Sequence, residues 1–164
     1  MPTALTVTTD KMKGLADALA SLTKKEVYVG IPEDHDRRTE ENSSFGNAAI
    51  GWLNQNGSPA QNIPARPHLD VGVERVKGRI VNILQTAGKN ALRGDLQAAE
   101  EGLIAAGQVG ADSVRKTILD VLPPPLADAT LAARRRRGHE SETPLNETGE
   151  YRSNITFVVR DKNA

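Results

Sequence analysis

The sequence of 164 residues contains no cysteine and few aromatic residues, and both shortages limit what the protein can be. The absence of cysteine excludes a disulfide framework and thiolate chemistry, and it is typical of proteins from reducing compartments. Aromatic residues make up only 3% of the chain. We therefore expect a thin core built from Leu, Ile, Val and Ala, with part of the stability supplied by neighbouring subunits.

Excess charge and long apolar runs are also missing from the chain. The 21 basic residues balance the 21 acidic residues, so the formal net charge is zero. This balance argues against a dedicated nucleic-acid-binding protein, because the affinity of such proteins depends on a basic face. No stretch approaches the roughly 20 apolar residues of a membrane-spanning helix. Residues 1–14 lack the order of a signal peptide, so we expect no membrane association.

The periodicity of the apolar residues predicts a single α+β domain over residues 1–164. Alternation of apolar and polar residues predicts strands at 26–31 and 153–160. Helical spacing predicts two long helices, one at 69–92 and one that begins after Asp95 and ends at a proline triplet. We therefore expect a small antiparallel or mixed sheet packed against two long helices, with short flanking helices.

Three shorter helices are predicted around this frame. Thr9 and Asp10 can cap the first of them. The second carries Trp52, the only tryptophan, which we expect to anchor this helix to the core rather than to bind a ligand. The third begins at Leu126 and leads into a basic segment.

The second long helix contains three glycines, Gly102, Gly107 and Gly110. Each costs about 1 kcal/mol relative to alanine inside a helix. Two interpretations follow from this cost. The helix is either loose or kinked, or it presents a face of small residues that another backbone approaches closely.

Two polar segments, residues 33–44 and 134–143, are predicted to be mobile loops because both lack apolar anchors. The second segment opens with four consecutive arginines, which either contact phosphate or an acidic partner surface, or form a solvated run balanced by nearby glutamates. The rigid fork of donors in arginine favours pairing with carboxylates at a protein interface. As exposed charges, these side chains are expected to contribute little to folding. The candidate interface residues of this run are Arg134, Arg135, Arg136 and Arg137.

Arg66 lies in a connector that is stiffened by Pro64 and Pro67. The prolines hold the backbone near an extended conformation, so the arginine side chain is presented at low entropic cost. Arg66 is either a surface residue of a stiff loop or makes a contact within the fold or between subunits. We favour the structural role and include Arg66 among the candidate interface residues.

No residue pattern indicates catalysis or metal binding. The sequence Asp34-His35-Asp36 contains metal-binding residue types, but zinc needs three or four convergent ligands and no second cluster lies nearby. No serine stands in a nucleophile elbow, and no glycine pattern follows a strand as a phosphate loop would. We expect no catalytic residue, no metal site and no cofactor.

Two segments carry a resemblance to a known family. Residues 48–69 read AAIGWLNQNGSPAQNIPARPHL, and residues 123–159 read PPPLADATLAARRRRGHESETPLNETGEYRSNITFVV. The first resembles the stretch that tailed-bacteriophage neck proteins place before their long helix. The second is similar to the ending of the same family, including the pair Thr148 and Gly149 before the last strand. The chain departs from the family pattern at His68, where an aromatic residue is expected, and at Tyr151, where leucine is commoner.

The resemblance implies a structural protein of the phage neck, described as a tail-completion, head–tail joining or virion-morphogenesis protein. It implies assembly as a homo-hexameric or dodecameric ring, with neck, connector and tail proteins as partners and transient contact with genomic DNA in the lumen. The protein would be made in the cytoplasm of the host bacterium and would reside in the virion.

Two alternatives remain open at the level of the sequence. The first is a small nucleic-acid-binding module that uses the arginine run at 134–137, which would show a strong inverse dependence of affinity on salt. The second is a hydrolase, for which only the polar segment at 33–44 leaves room.

Overall fold

The computed structural model describes residues 12–36, 45–120 and 122–162. The described helices are α1 (Met12–Thr23), α2 (Asn47–Asn56), α3 (His68–Leu92), α4 (Leu96–Leu119), α5 (Asp128–Arg136) and α6 (Glu150–Asn154). The described strands are β1 (Lys25–Gly30) and β2 (Thr156–Asp161), and short 3-10 turns occupy Glu33–His35 and Pro59–Gln61. The predicted α+β class is confirmed. The predicted cap at Thr9 and Asp10, and most of the predicted loop at 33–44, lie outside the described residues.

The two long helices α3 and α4 form an antiparallel hairpin, as the periodicity predicts. Gly94 lies between them with a φ of 86°, which a glycine adopts without steric cost. The side chain of Asp95 then accepts a hydrogen bond of 3.0 Å from the backbone N–H of Ala98. This contact satisfies one of the free N–H groups at the start of α4 and fixes where the second helix begins.

The three glycines of α4 mark a face of small residues inside a continuous helix. A Cβ at Gly102 would lie 2.6 Å from the Cβ of Ala87 on α3, and a Cβ at Gly110 would lie 2.9 Å from the side chain of Val29. A Cβ at Gly107 would overlap the ring of Phe157 on β2. The close approach of another backbone is confirmed at Gly102, where α3 packs, whereas the side chains of Phe157 and Val29 fill the space at Gly107 and Gly110.

The sheet is a two-stranded antiparallel pair of β1 and β2 that packs on α4. Val27 pairs with Val159 and Val29 pairs with Phe157. The prediction that the second strand begins at residue 153 is wrong, because Ser153 still belongs to α6 and β2 begins at Thr156.

The core is small and rich in alanine, as the shortage of aromatic residues predicts. Of the eleven buried hydrophobic residues in the described part of the chain, six are alanines, so each contributes little apolar area. The best-packed cluster consists of Val114 and Ile118 on α4 with Ile155 before β2. Partly buried side chains of Leu69 and Leu145 pack around this cluster.

Several large apolar side chains remain exposed. Trp52 is 65% exposed, so the prediction that it anchors α2 to the core is wrong. The periodicity of α2 places Trp52 beside the helix face that carries Gly51 and Asn47, and those two smaller residues are the buried ones. The other exposed large apolar side chains in the described part of the chain are Tyr28, Phe45, Val81, Leu84, Leu92, Leu96, Ile104 and Leu119.

Within the described residues, no helix is both long enough and apolar enough to cross a membrane.

Candidate functional site

The arginine run lies at the end of a helix rather than in a loop, because α5 extends to Arg136. Arg134 is only 6% exposed. Its Nη1 donates hydrogen bonds to the backbone carbonyl oxygens of Ser141, at 2.7 Å, and of Thr143, at 2.9 Å. The prediction of a solvated, mobile loop at 134–143 is therefore wrong for Arg134, which ties the following segment back onto α5.

The next three arginines are exposed, and two of them are paired. Arg135 Nη2 lies 2.9 Å from a carboxylate oxygen of Glu142. Arg137 donates from Nε, at 2.9 Å, and from Nη2, at 2.7 Å, to the same oxygen of Glu147. Arg136 makes no ion pair within the described residues. The predicted balancing of the run by downstream glutamates is confirmed at two positions.

Arg66 is 5% exposed and bonds backbone carbonyl groups within the chain. Its Nε and Nη2 donate to the carbonyl oxygen of Pro124 at 3.2 Å and 2.8 Å. This contact joins the connector before α3 to the proline-rich turn after α4. The contact within the fold is present, so the alternative of a surface arginine in a stiff loop is wrong, and a role of Arg66 at a subunit interface stays a prediction. Burial, followed by the nearby charge of Arg134, lowers the pKa of Arg66.

Arg66 and Arg134 line one cavity of about 210 Å³. Its wall is formed by α2, by α5 and by the segment that leads into α6, and it includes Asn54, Glu147 and Tyr151. Leu145 also lines the cavity and adopts a φ of 62°, a left-handed conformation that is rare for a leucine. Two buried arginines, 68 residues apart in sequence, thus line one partly open cavity.

His68 and Tyr151 form a buried polar pair beside this cavity. His68 is 0% exposed. Its Nδ1 lies 2.8 Å from the carbonyl oxygen of Arg66, which can only accept, so Nδ1 carries the proton. Nε2 therefore accepts from the hydroxyl of Tyr151, at 2.5 Å. Burial lowers the pKa of His68 and raises the pKa of Tyr151, so both groups are held neutral.

The remaining predicted structural residues lie at the ends of helices. Pro67 occupies the position before the first residue of α3, and Pro64 precedes it in the exposed connector. Gly149 precedes α6 with a φ of 83°, and the hydroxyl of Thr148 accepts a hydrogen bond of 3.3 Å from the N–H of Glu150. These residues position the wall of the cavity without entering the hydrogen-bond network of Arg66.

The sequence interpretation missed the pairing of His68 with Tyr151. No local signal exists for this pair, whose members are separated by 83 residues. Groups of three or more metal-binding side chains are absent from the described part of the chain.

Neither a protein-family model, nor a curated protein, nor a solved structure gives a significant match to this chain.

Proposed function

We propose that this protein is a structural subunit of the neck of a tailed bacteriophage, which joins the head connector to the tail as a member of a ring. The observation that carries the proposal is the apolar surface left open on α3. Val81, Leu84 and Leu92 are exposed and lie on one face of the helix, with Gly88 between them. Leu96, at the start of α4, is exposed as well.

An apolar surface of this kind favours a protein partner. A monomeric protein rarely leaves a continuous apolar patch in water, and large patches mark interaction sites. The core of this chain is small, so burial of further apolar area in a ring would add stability that the isolated subunit lacks. The resemblance of residues 48–69 and 123–159 to neck proteins supplies the identity of the assembly.

The exposed arginines after Arg134 supply a second surface. Arg135 and Arg137 are oriented by Glu142 and Glu147, and Arg136 is free of ion pairs within the described residues. Planar guanidinium groups that are already oriented lose less entropy when they bind a carboxylate of a partner. We propose that Arg135, Arg136 and Arg137 dock an acidic surface of the connector or the tail.

The alternative of a nucleic-acid-binding module draws less support from the geometry. Of the four arginines, Arg134 is buried and two others bind glutamates of the same chain. Binding to a phosphate backbone requires several free cations on one face. A transient contact with DNA in the lumen of a ring requires fewer, and it remains part of the neck proposal.

A nonsense mutation in the gene, made in the phage or prophage that encodes it, tests the proposal. We expect filled heads and complete tails to accumulate without being joined, and a plasmid copy of the gene to restore infectious particles. Mass spectrometry of purified wild-type virions should detect the chain. Normal titre without the protein, or its absence from purified virions, would refute the neck assignment.

The docking surface is tested in the same complementation assay. A triple variant that replaces Arg135, Arg136 and Arg137 by serine should lower the titre by at least tenfold. The matched control replaces three exposed lysines elsewhere, Lys13, Lys24 and Lys77, and changes the net charge equally. Equal titres from the two variants would show that the arginines are not part of the docking surface. The neck assignment would then be tested by the nonsense mutation alone.

A further inference from the structure

The cavity lined by Arg66 and Arg134 contains guanidinium donors that its own walls leave unused. Arg66 is buried, yet within the described residues no carboxylate lies within ion-pair distance of its guanidinium group. Its partners are the neutral carbonyl oxygens of Pro124 and Pro125. A buried cation that lacks a counter-ion is costly, so such a charge is normally paired.

Arg134 also keeps unused donors. Its Nε is buried and makes no hydrogen bond, although it lies 3.5 Å from a carboxylate oxygen of Glu147. The other carboxylate oxygen of Glu147 is engaged by Arg137. The Nη2 of Arg134 and the Nη1 of Arg66 likewise make no hydrogen bond within the described residues. Each guanidinium thus retains a terminal nitrogen that can donate to a ligand.

We propose that the cavity lined by Arg66 and Arg134 binds a small oxyanion, either a carboxylate or a phosphate group. Its volume of about 210 Å³ accommodates either group, and water could remain beside it. Two planar guanidinium groups that flank one volume match the paired oxygens of such anions, and hydrogen bonds of this kind are stronger than neutral ones. Asn54 and Tyr151 add uncharged polar groups to the wall.

Glu147 does not replace the ligand, because it is shared between Arg134 and Arg137. Burial, followed by the charge of Arg134, lowers the pKa of Arg66, and no carboxylate raises it. This proposal stands independently of the neck assignment.

Nuclear magnetic resonance of the wild-type protein provides the test. The Nε–Hε signal of Arg134 is followed in ¹⁵N-labelled protein during titrations with sodium phosphate and, separately, sodium acetate. Sodium chloride holds the ionic strength constant. We expect a saturable shift of the Arg134 signal in the millimolar range with at least one of the two anions. The signals of the exposed Arg135 and Arg136 serve as an internal reference in the same spectrum.

The two titrations distinguish the sources of the anion. Tighter binding of acetate indicates a carboxylate, the group that an acidic residue of a neighbouring protein would insert. Tighter binding of phosphate indicates a phosphorylated ligand. A common drift of the signals of all the arginines would indicate ionic screening, and an unchanged Arg134 signal would show that the cavity holds only water. Either of these results would overturn the proposal.

Two variants locate the binding site. Arg66→Gln should abolish the anion-dependent shift of the Arg134 signal, whereas Arg135→Gln, which removes the same charge outside the cavity, should preserve it. A shift that persists in folded Arg66→Gln protein would overturn the assignment of the site to this cavity. If Arg66→Gln does not fold, the wild-type titration with its internal reference still decides the question.

Discussion

The imidazole of His68 and the phenol of Tyr151 meet edge to face, with ring centroids 5.5 Å apart and with Nε2 of His68 2.5 Å from the hydroxyl oxygen. Under the proposed resemblance to phage neck proteins, these residues occupy the two positions at which the sequence departs from the family pattern. Because they bind each other, the two departures would form one change, in which a hydrogen-bonded pair replaces an aromatic residue and a leucine. The pair links the connector at Arg66 to α6, whose residues line the arginine cavity.

Removal of the Tyr151 hydroxyl should destabilise the fold. In Tyr151→Phe, the buried Nε2 of His68 loses its donor, and an unsatisfied buried polar group costs about 1–3 kcal/mol. The matched control is Tyr28→Phe, because Tyr28 is 53% exposed and its hydroxyl donates to the side chain of Glu26. Urea denaturation should show a change of less than about 0.5 kcal/mol for the control. Equal losses in both variants would refute the importance of the buried pair.

The buried imidazole should make stability depend on pH. Burial lowers the pKa of His68 below the ordinary value of 6.5, so the unfolded chain binds the proton more tightly than the folded chain does. Stability linked to His68 is therefore fully present above about pH 6.5 and falls as the pH decreases toward the folded-state pKa. Denaturation at several pH values between 5.5 and 7.5 measures this slope. His68→Gln should flatten the slope, whereas His139→Gln should leave it unchanged.

Much of the frame could be predicted because its signals are local and repeated. The helix at His68–Leu92 follows from the spacing of apolar residues over many positions. The cap at Asp95 follows from an aspartate that stands directly before the first turn of the next helix. The strand that begins at Thr156 was placed a few residues early, because the short helix α6 has no room for a periodic pattern. Trp52 was misplaced since composition alone does not reveal which face of a short helix is covered.

The arginine cavity could not be predicted from the sequence. The sequence does not distinguish the four arginines at 134–137 from one another, yet Arg134 is buried and Arg136 is exposed. The difference arises from the rotation of about 100° between successive residues of a helix, which turns Arg134 toward the carbonyl groups of Ser141 and Thr143. Whether an arginine of the run is buried therefore depends on where the segment that follows it packs. No local pattern in the sequence encodes that position.

Replacement of glycine by alanine should have opposite effects on stability at two helical positions, one on the small-residue face of α4 and one on α3. Gly107→Ala would drive a methyl group into the ring of Phe157, and overpacking of this kind costs about 1–3 kcal/mol. Gly78→Ala on α3 meets nothing within 4 Å and should stabilise the protein by about 1 kcal/mol through helix propensity. Thermal melting compares the two variants. A Gly107→Ala protein as stable as the Gly78→Ala protein would contradict the close packing of α4 on the sheet.

Arg134 should contribute far more to stability than its neighbours in the run. Arg134→Ser removes both hydrogen bonds that hold Ser141 and Thr143, and hydrogen bonds from a charged donor contribute about 1.5–3 kcal/mol each. We expect a loss of at least about 2 kcal/mol in the free energy of unfolding, measured by urea denaturation. The control Arg136→Ser removes an equal charge from an exposed position and should change stability by less than about 0.5 kcal/mol.

Amide hydrogen exchange shows which part of the chain Arg134 stabilises. The backbone N–H of His139 donates to the carbonyl oxygen of Arg134 at 3.0 Å, and the Arg134 side chain holds the two carbonyl groups further along the segment. We expect the amide of His139 in the wild-type protein to exchange slowly, and the same amide in Arg134→Ser to exchange at least tenfold faster. Arg136→Ser should retain the wild-type rates. Rapid exchange of this amide in the wild-type protein would show that Arg134 does not restrain the segment, because a hydrogen-bonded amide must open before it can exchange.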